Sequence, residues 1–228
     1  MRLSPTARQR QDHALSSSNS SSPPNNRQAL IVFAGVAALI LGLIAAALLS
    51  SPKNIAIGSG TLLKAPRSLP EFSLIDQDGQ PFTRESLLGH WTLIFPGFTY
   101  CPDICPTTLG VLKAVEAQLG SESSNLTVAL FSIDPERDTP ETLKRYVQYF
   151  SPNFIGVTTQ EPQLKQMAQT LGVAYLKVPG DTPESYTMDH SAALVLIDPQ
   201  ARIAGYFTPP HQVDALVRDL GTVLRNRS

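Results

Sequence analysis

Two cysteines are the residues of this chain whose type and spacing most clearly permit chemistry, and the chain has no others. Cys101 and Cys105 lie between an apolar run, residues 91–95, and an amphipathic segment, residues 107–119. The unpaired N–H groups and the dipole at a helix N-terminus stabilise anions, so we expect thiols at this place to have lowered pKa values and to react as thiolates. Pro106 suits the first turn of a helix and agrees with this placement.

Three kinds of chemistry suit such a pair in an oxidising compartment: a structural disulfide, a dithiol redox centre, or two ligands of a metal ion. A disulfide that closes so short a loop stabilises a fold only weakly. Dithiol oxidoreductases of the thioredoxin type use Cys-x-x-Cys, whereas three residues separate Cys101 from Cys105. Two thiolates leave a metal site incomplete, so the metal interpretation needs a further ligand from elsewhere in the chain. On the residues alone, the redox and metal interpretations both stay open.

Four histidines could supply that ligand. His13 lies in a polar N-terminal tail, His90 precedes a strand and His211 follows two prolines, so an ordinary surface or core role is expected for each. His190 stands in a long segment that follows Gly180 and precedes an apolar strand, and loop residues of this kind often carry function. Spacing alone does not distinguish His190 from an ordinary loop residue.

The elements around these residues alternate between strand and helix. Short apolar runs bounded by turn residues predict strands, and apolar residues at helical spacing predict helices. Alternation that closes on an antiparallel hairpin predicts an α/β fold, a thioredoxin-like mixed sheet with flanking helices. The predicted strands are 71–75, 80–83, 91–95, 126–133, 154–157, 192–197 and 203–207, and the predicted helices are 107–119, 162–171, 212–224 and one that starts at Thr139.

Ahead of these elements, residues 29–49 are all apolar, alanine or glycine. A helix of about 20 such residues spans a bilayer, and the run exceeds the apolar region of a cleavable signal peptide. The positive-inside rule puts the Arg-containing N-terminus in the cytoplasm. We therefore predict a single-pass protein of the bacterial inner membrane with its C-terminal domain in the periplasm; the alternative is the mitochondrial inner membrane, facing the intermembrane space. The predicted parts are a disordered cytoplasmic tail (1–28), a transmembrane anchor (29–49), a linker (50–67) and an exported domain (68–228).

The charge distribution excludes one class of partner. The formal net charge is -1, and residues 1–28 carry four arginines and one aspartate, a net +3, which leaves -4 for the remainder. Binding to a phosphate backbone needs a clustered basic face, and the mildly acidic remainder has no run of Lys or Arg. No nucleic-acid partner is expected.

Three motifs resemble the Sco/SenC family of copper chaperones that assemble cytochrome c oxidase. They occur in the family's order and are GFTYCPDICP (97–106), SIDPERDTP (132–140) and YTMDHS (186–191). The resemblance covers roughly residues 68–220 and implies a thioredoxin-like fold that binds copper, as Cu(I) and Cu(II), through Cys101, Cys105 and His190. Two soft thiolates and one imidazole suit Cu(I).

The resemblance also implies a function. It favours a membrane-anchored metallochaperone, rather than an enzyme, that delivers copper to the copper-accepting subunit of a haem-copper oxidase; other copper chaperones and thiol oxidoreductases are further candidate partners. The alternative is a thiol-disulfide oxidoreductase that keeps the acceptor's cysteines reduced, with Cys101 and Cys105 as the redox-active pair and Cys101 attacking. Interpretation as a peroxidase is weaker, since a peroxidase needs a peroxidatic cysteine in its own activating pocket and the sequence offers only the paired cysteines.

Several neighbours of the implied ligands are candidates for supporting roles. Asp103, Asp134 and Asp189 are carboxylates that could orient the imidazole, although Asp134 also suits turn formation. Met188 is expected to pack in the core rather than to bind metal. Tyr100 stands where many members of the family that the chain resembles carry His or another polar residue.

Overall fold

The computed structural model describes residues 26–49, 57–182 and 185–226. The chain divides into two compact units, Met1–Pro52 and Lys53–Ser228. In the first unit, helix α1 (Asn26–Leu49) covers the run predicted to be a membrane anchor, and its side chains at 30–44 are exposed. Most of the predicted tail (1–28) and the first part of the predicted linker (50–67) lie outside the described residues.

The side chains of α1 are described only as far as residue 44. Among the residues whose side chains the structure describes, no helix has both the length and the apolar character needed to cross a bilayer. The anchor over 29–49 stays a prediction.

The second unit is built on a mixed sheet of eight strands in the order β1-β10-β9-β4-β5-β6-β2-β3. Strands β4, β5 and β6 run parallel, while the other neighbours in this sheet pair antiparallel. Strands β7 and β8 form a separate antiparallel pair. The strands are β1 (Gly60–Ser68), β2 (Ser73–Asp76), β3 (Pro81–Thr83), β4 (Trp91–Gly97), β5 (Leu126–Ser132), β6 (Ile155–Thr158), β7 (Tyr175–Val178), β8 (Thr187–His190), β9 (Leu194–Ile197) and β10 (Arg202–Phe207).

Within the described part of this unit, four α-helices accompany these strands: α2 (Ile104–Leu119), α3 (Pro140–Phe150), α4 (Gln163–Leu171) and α5 (Val213–Asn226). Helix α2 contacts α3 and α5, and α3 packs against β6. Every residue of β4 and β9 is buried, so both faces of the sheet's centre are covered. The predicted mixed α/β fold with flanking helices is confirmed.

Local sequence accounts for the ends of the two helices that matter for the site. Helix α3 begins with Pro140 in its first turn and Thr139 as N-cap, whose side chain accepts a hydrogen bond from the Thr142 amide. Helix α2 ends at Gly120, whose φ of 57° is a conformation that glycine adopts without a steric cost. Thr139 and Pro140 thus fix the end of the loop between β5 and α3, and Gly120 fixes the start of the connection from α2 to β5.

The linker predicted over residues 50–67 is too long at its C-terminal end. Residues 60–68 form β1, which pairs with β10 at the edge of the sheet. The pairing shifts register between Leu62 and Arg67, and Pro66 lies inside this irregular stretch. Because a bulge interrupts the apolar alternation and proline is rare inside strands, the sequence pattern does not predict this edge strand.

The segment before the predicted strand 192–197 also differs from expectation. Instead of one long loop, it contains β8, which pairs with β7 so that His190 lies opposite Tyr175. His190 is therefore the last residue of a strand, and a backbone ladder rather than a free loop sets its position.

Candidate metal centre

Cys101, Cys105 and His190 lie together in the fold. One potential ligand atom from each residue lies within 4.8 Å of the other two. Both cysteines are free thiols; Cys101 is 9% exposed and Cys105 is fully buried. His190 is half-buried. The geometry therefore brings together the three residues that the family resemblance indicates.

The cysteines are positioned by the turn that joins β4, at the centre of the sheet, to α2. Strand β4 ends at Gly97, and the Cys101 amide then donates to the Phe98 carbonyl across a tight turn (3.3 Å). Cys105 lies in the first turn of α2 and its amide donates to the Sγ of Cys101 (3.3 Å). Since the first amides of a helix have no partner within it, Cys101 Sγ meets one of these unpaired donors.

Gly97 leaves room for the second thiol. A Cβ added at Gly97 would lie 3.1 Å from the Sγ of Cys105 and 3.0 Å from a methyl carbon of Leu130. These contacts are tighter than ordinary van der Waals packing, so a side chain at residue 97 would push against Cys105. A residue larger than glycine at position 97, in the GFTYCPDICP motif, would therefore have to displace Cys105 or Leu130.

His190 presents one nitrogen to the cysteines. Its Nδ1 lies 2.9 Å from the Ser191 carbonyl oxygen, to which it donates, so the other nitrogen carries the free lone pair. That atom, Nε2, lies 3.8 Å from the Sγ of Cys105. The rings of Phe95 and Phe98 contact the imidazole edge-on, with centroids 6.4 Å and 5.9 Å away. The ring is thus oriented for binding through Nε2.

Burial shifts the pKa values of His190 and Cys105 in opposite directions. Burial lowers the pKa of His190 and outweighs the opposing effects of the hydrogen bond to Ser191 and the negative charge of Asp189, so the imidazole is neutral at pH 7. Burial raises the pKa of the Cys105 thiol far above its ordinary value, and Cys101 adds to the increase. The expectation of a lowered thiol pKa is wrong for Cys105, because desolvation at this buried position exceeds the effect of the helix N-terminus.

The donor set fits a soft metal ion. Thiolate and imidazole ligands together suit copper and zinc better than hard cations such as Mg²⁺ or Ca²⁺, which prefer oxygen. Metal–ligand bonds of about 2.0–2.3 Å put the ligands of a trigonal site about 3.5–4 Å apart. Ligand atoms within 4.8 Å of one another need only a small contraction to reach that separation.

The predicted supporting carboxylates lie near the site, yet among the described residues none hydrogen-bonds the imidazole. Asp103 precedes α2 and accepts from the Thr107 hydroxyl. Asp134 accepts from the Tyr186 hydroxyl (2.7 Å) and pairs with Arg137, while Asp189 is exposed. Because the Ser191 carbonyl rather than a carboxylate orients the imidazole, sequence alone could not have found that partner.

The remaining predictions concern single residues. Met188 is buried in the core, as predicted. Tyr100 is 62% exposed, and its ring centroid lies 4.8 Å from the guanidinium carbon of Arg137. His90 and His211 bond to backbone carbonyls, of Leu88 and Ala192 respectively, and are not members of the cluster. His13 lies outside the described residues.

Sequence reasoning missed two polar side chains beside the site. Asp138, which is 1% exposed, accepts hydrogen bonds from Thr99 and Ser132, and Arg137 stacks on Tyr186. Both lie inside the SIDPERDTP motif, so that motif was the signal available in the sequence. Their partners lie in other segments and emerge only from the fold.

The fold and the site define a thioredoxin-like α/β domain with a cluster of two thiols and an imidazole. The SCO1/SenC family model matches residues 61–225, and the chain belongs to this family. An SCO2-like protein of Rickettsia typhi is 37% identical over 180 residues, which cover 78% of this chain and 87% of that protein.

Two solved structures show the same fold. Copper-bound ScoI of Arabidopsis thaliana is 34% identical, with a TM-score of 0.64 over 68% of this chain and 97% of that one. Apo Sco1 of Thermus thermophilus is 33% identical, with a TM-score of 0.66 over 75% of this chain and 99% of that one. The thioredoxin-like architecture predicted from the sequence is confirmed.

Proposed function

We propose that this protein binds one copper ion through the Sγ atoms of Cys101 and Cys105 and the Nε2 atom of His190. The observation that carries the proposal is the separation of at most 4.8 Å among the three ligand atoms. The neutral imidazole, whose free nitrogen faces Cys105, needs no proton loss before it binds. A copper-bound relative with 34% identity supports copper as the metal.

We further propose that the bound copper is cargo. Three protein ligands leave coordination positions free, and Cys101 is the cysteine at the edge of the buried cluster. A partner's thiolate can approach from that edge and replace one protein ligand at a time, so the ion never becomes fully solvated. Family membership supports the copper-accepting subunit of a haem-copper oxidase as the recipient.

The proposed location follows from the apolar run 29–49 and from the arginines that precede it. We propose that this run anchors the protein in the inner membrane of a bacterium and that the copper site lies on the periplasmic side. The alternative location is the mitochondrial inner membrane, facing the intermembrane space. A membrane location keeps the site close to an oxidase that is itself embedded in the membrane.

Oxidase assembly in cells tests the proposal. A strain that lacks the protein should regain cytochrome c oxidase activity with the full-length wild-type chain and with His90→Ala, whose histidine lies outside the cluster. His190→Ala and Cys101→Ser should each fail to restore activity under limiting copper. Full restoration by His190→Ala would contradict the proposal.

The two free thiols favour a second candidate, a thiol-disulfide oxidoreductase that keeps the acceptor's cysteines reduced. The two sulfur atoms lie within 4.8 Å of each other and would have to approach to about 2.05 Å to form a disulfide, and the Cys105 amide contacts Cys101 Sγ. Cys101 would attack the substrate disulfide, because Cys105 is fully buried with a raised pKa and is a poor nucleophile. Electrons would pass to the substrate as the Cys101–Cys105 disulfide forms.

His190 separates the two candidates. Reduction of a model disulfide by the full-length chain needs both cysteines and tolerates His190→Ala, whereas the three-ligand copper site needs all three residues. A His190→Ala variant that keeps reductase activity but does not support oxidase assembly would favour copper delivery. Support of assembly by that same variant would favour the oxidoreductase.

A further inference from the structure

The two segments that carry the proposed ligands both contact one loop, residues 134–138, which joins β5 to α3. The turn before Cys101 contacts the loop through Asp138. Tyr186, the residue before the strand that ends at His190, contacts the loop through Arg137 and Asp134. Cysteines and histidine are far apart in sequence, so their separation in space depends on what joins their segments.

Asp138 fixes the cysteine segment. Its carboxylate accepts hydrogen bonds from the Thr99 hydroxyl (2.5 Å), the Thr99 amide (3.1 Å) and the Ser132 hydroxyl (2.7 Å). Thr99 follows Phe98, whose carbonyl accepts from the Cys101 amide. Since the carboxylate holds both the backbone and the side chain of Thr99, it fixes the start of the turn that presents Cys101.

Arg137 and Asp134 fix the histidine segment through Tyr186. The Nη1 atom of Arg137 donates to the Tyr186 carbonyl (3.1 Å), and its guanidinium carbon lies 3.7 Å from the centroid of the Tyr186 ring. The Tyr186 hydroxyl donates to Asp134 (2.7 Å). Tyr186 immediately precedes β8, the strand that ends at His190.

These contacts are directional and shielded from water. Asp134 and Asp138 are 2% and 1% exposed, and Arg137 Nε donates to Asp134 at 2.5 Å. A buried carboxylate that loses one donor keeps its desolvation cost, so such a network favours a single arrangement. Lys177, which faces the Tyr186 ring at 3.8 Å, also pairs with Glu136 of the same loop.

We infer that the 134–138 loop is a positioning element that sets the separation between the thiol sulfurs and the Nε2 of His190. This inference rests on the proposed function, in which the three atoms bind one copper ion. The residues of the loop do not bind the metal; Asp138 acts through Thr99, and Arg137 and Asp134 act through Tyr186.

The test removes one hydroxyl from each side of the loop in the full-length, detergent-solubilised chain. Thr99→Val removes the donor to Asp138 and Thr99→Ser retains it. Tyr186→Phe removes the donor to Asp134, and Tyr206→Phe is its matched control, since the Tyr206 hydroxyl bonds Arg67 away from the site. Three measurements are made: Cu(I) affinity by chelator competition, the electron paramagnetic resonance spectrum with Cu(II), and hydrogen exchange of the metal-free chain.

We expect Thr99→Val and Tyr186→Phe to weaken Cu(I) binding by about tenfold to hundredfold, as loss of an outer partner does at other metal sites. Their Cu(II) spectra should differ from the wild type, whereas Thr99→Ser and Tyr206→Phe should match it. In the metal-free chain, exchange should accelerate over residues 97–101 in Thr99→Val and over 186–190 in Tyr186→Phe.

Unchanged affinity and spectra in both variants, with wild-type copper binding intact, would overturn the inference and leave the proposed function standing. If the wild-type chain binds no copper, the proposed function fails, and hydrogen exchange alone decides the positioning role. In that case, exchange at the wild-type rate in both segments overturns the role, and local acceleration supports it.

Discussion

The Nε2 atom of His190 lies 3.8 Å from the Sγ atom of Cys105, although the two residues are 85 positions apart in the chain. In the metal-free protein the thiol donates to the imidazole, because Nδ1 is already bonded to the Ser191 carbonyl. A metal ion that binds both residues must displace the proton between them. The contact thus couples copper binding to proton release.

The first prediction concerns this proton. Burial raises the pKa of Cys105, so its thiol is protonated through the neutral range, whereas the lowered pKa of His190 leaves the imidazole already neutral. Copper binding should therefore release at least one proton, and Cu(I) affinity should rise about tenfold per pH unit between about pH 6 and pH 8 for each proton released. Chelator competition at several pH values measures it, and an affinity independent of pH would exclude Cys105 as a ligand.

The second prediction uses the space beside Cys105. Gly97→Ala should place a methyl group against the sulfur and the Leu130 side chain, lowering stability by about 1–3 kcal/mol and weakening Cu(I) binding. Gly110→Ala, on a part of α2 where a Cβ meets no neighbour, is the matched control and should raise stability by about 0.5–1 kcal/mol. Denaturant unfolding and chelator competition measure both effects. Equal copper affinity in the two variants would contradict the packing argument.

The third prediction concerns the start of the domain. Asp219 in α5 accepts hydrogen bonds from the Gly58 amide and from the amide and hydroxyl of Ser59, at 2.6–3.0 Å. Burial alone would raise the pKa of Asp219, but these bonds outweigh it and lower the pKa. A carboxyl with a lowered folded-state pKa stabilises the fold above its ordinary pKa of about 3.9, and that stability is lost as pH falls through the folded-state value.

Asp219→Asn should therefore reduce the free energy of unfolding by about 1–3 kcal/mol at neutral pH, with the difference from wild type shrinking below about pH 4. Asp214→Asn, at an exposed position in the first turn of the same helix, is the control and should cost less than about 1 kcal/mol, the usual effect of a carboxylate at a helix N-terminus. Urea unfolding across pH gives both curves. A difference that stays constant into acid would show that the charge of Asp219 does not contribute.

The fourth prediction concerns the apolar run 29–49. Alkaline phosphatase fused after residue 57 should be active in a bacterial host, because the fusion point is exported, and the fusion should stay with the membrane after carbonate extraction. Deletion of residues 29–49 should abolish both properties. Replacement of Ala45 and Ala47 by bulky residues should leave the length of the mature protein unchanged, whereas a shift in length would indicate cleavage of a signal peptide.

The sequence predicts the positions of the two cysteines better than it predicts the position of His190. The cysteines were identifiable because the buried strand before them and the helix after them have clear patterns over adjacent residues. The position of His190 was not derivable, because it depends on the pairing of β8 with β7, two strands of four residues whose partners are set by the fold. Family resemblance, not spacing, indicated that residue.

Two errors have physical causes of the same kind. The helix N-terminus at Cys105 is visible in the sequence and predicts a lowered pKa, but the burial that raises it results from packing. The sequence predicts a linker where most of β1 lies, because a register shift and Pro66 interrupt the strand pattern, and pairing with β10 overrides that local signal. Local preferences were predictable, and effects of tertiary packing were not.

The most direct test of the central claim is X-ray absorption spectroscopy of the copper-loaded, full-length protein beside its His190→Ala variant. We predict one copper per wild-type chain, with two sulfur ligands and one imidazole nitrogen, and loss of that nitrogen in the variant while the sulfur ligands remain. A wild-type spectrum without two sulfur ligands, or an imidazole signal that persists in His190→Ala, would contradict the three-ligand copper site.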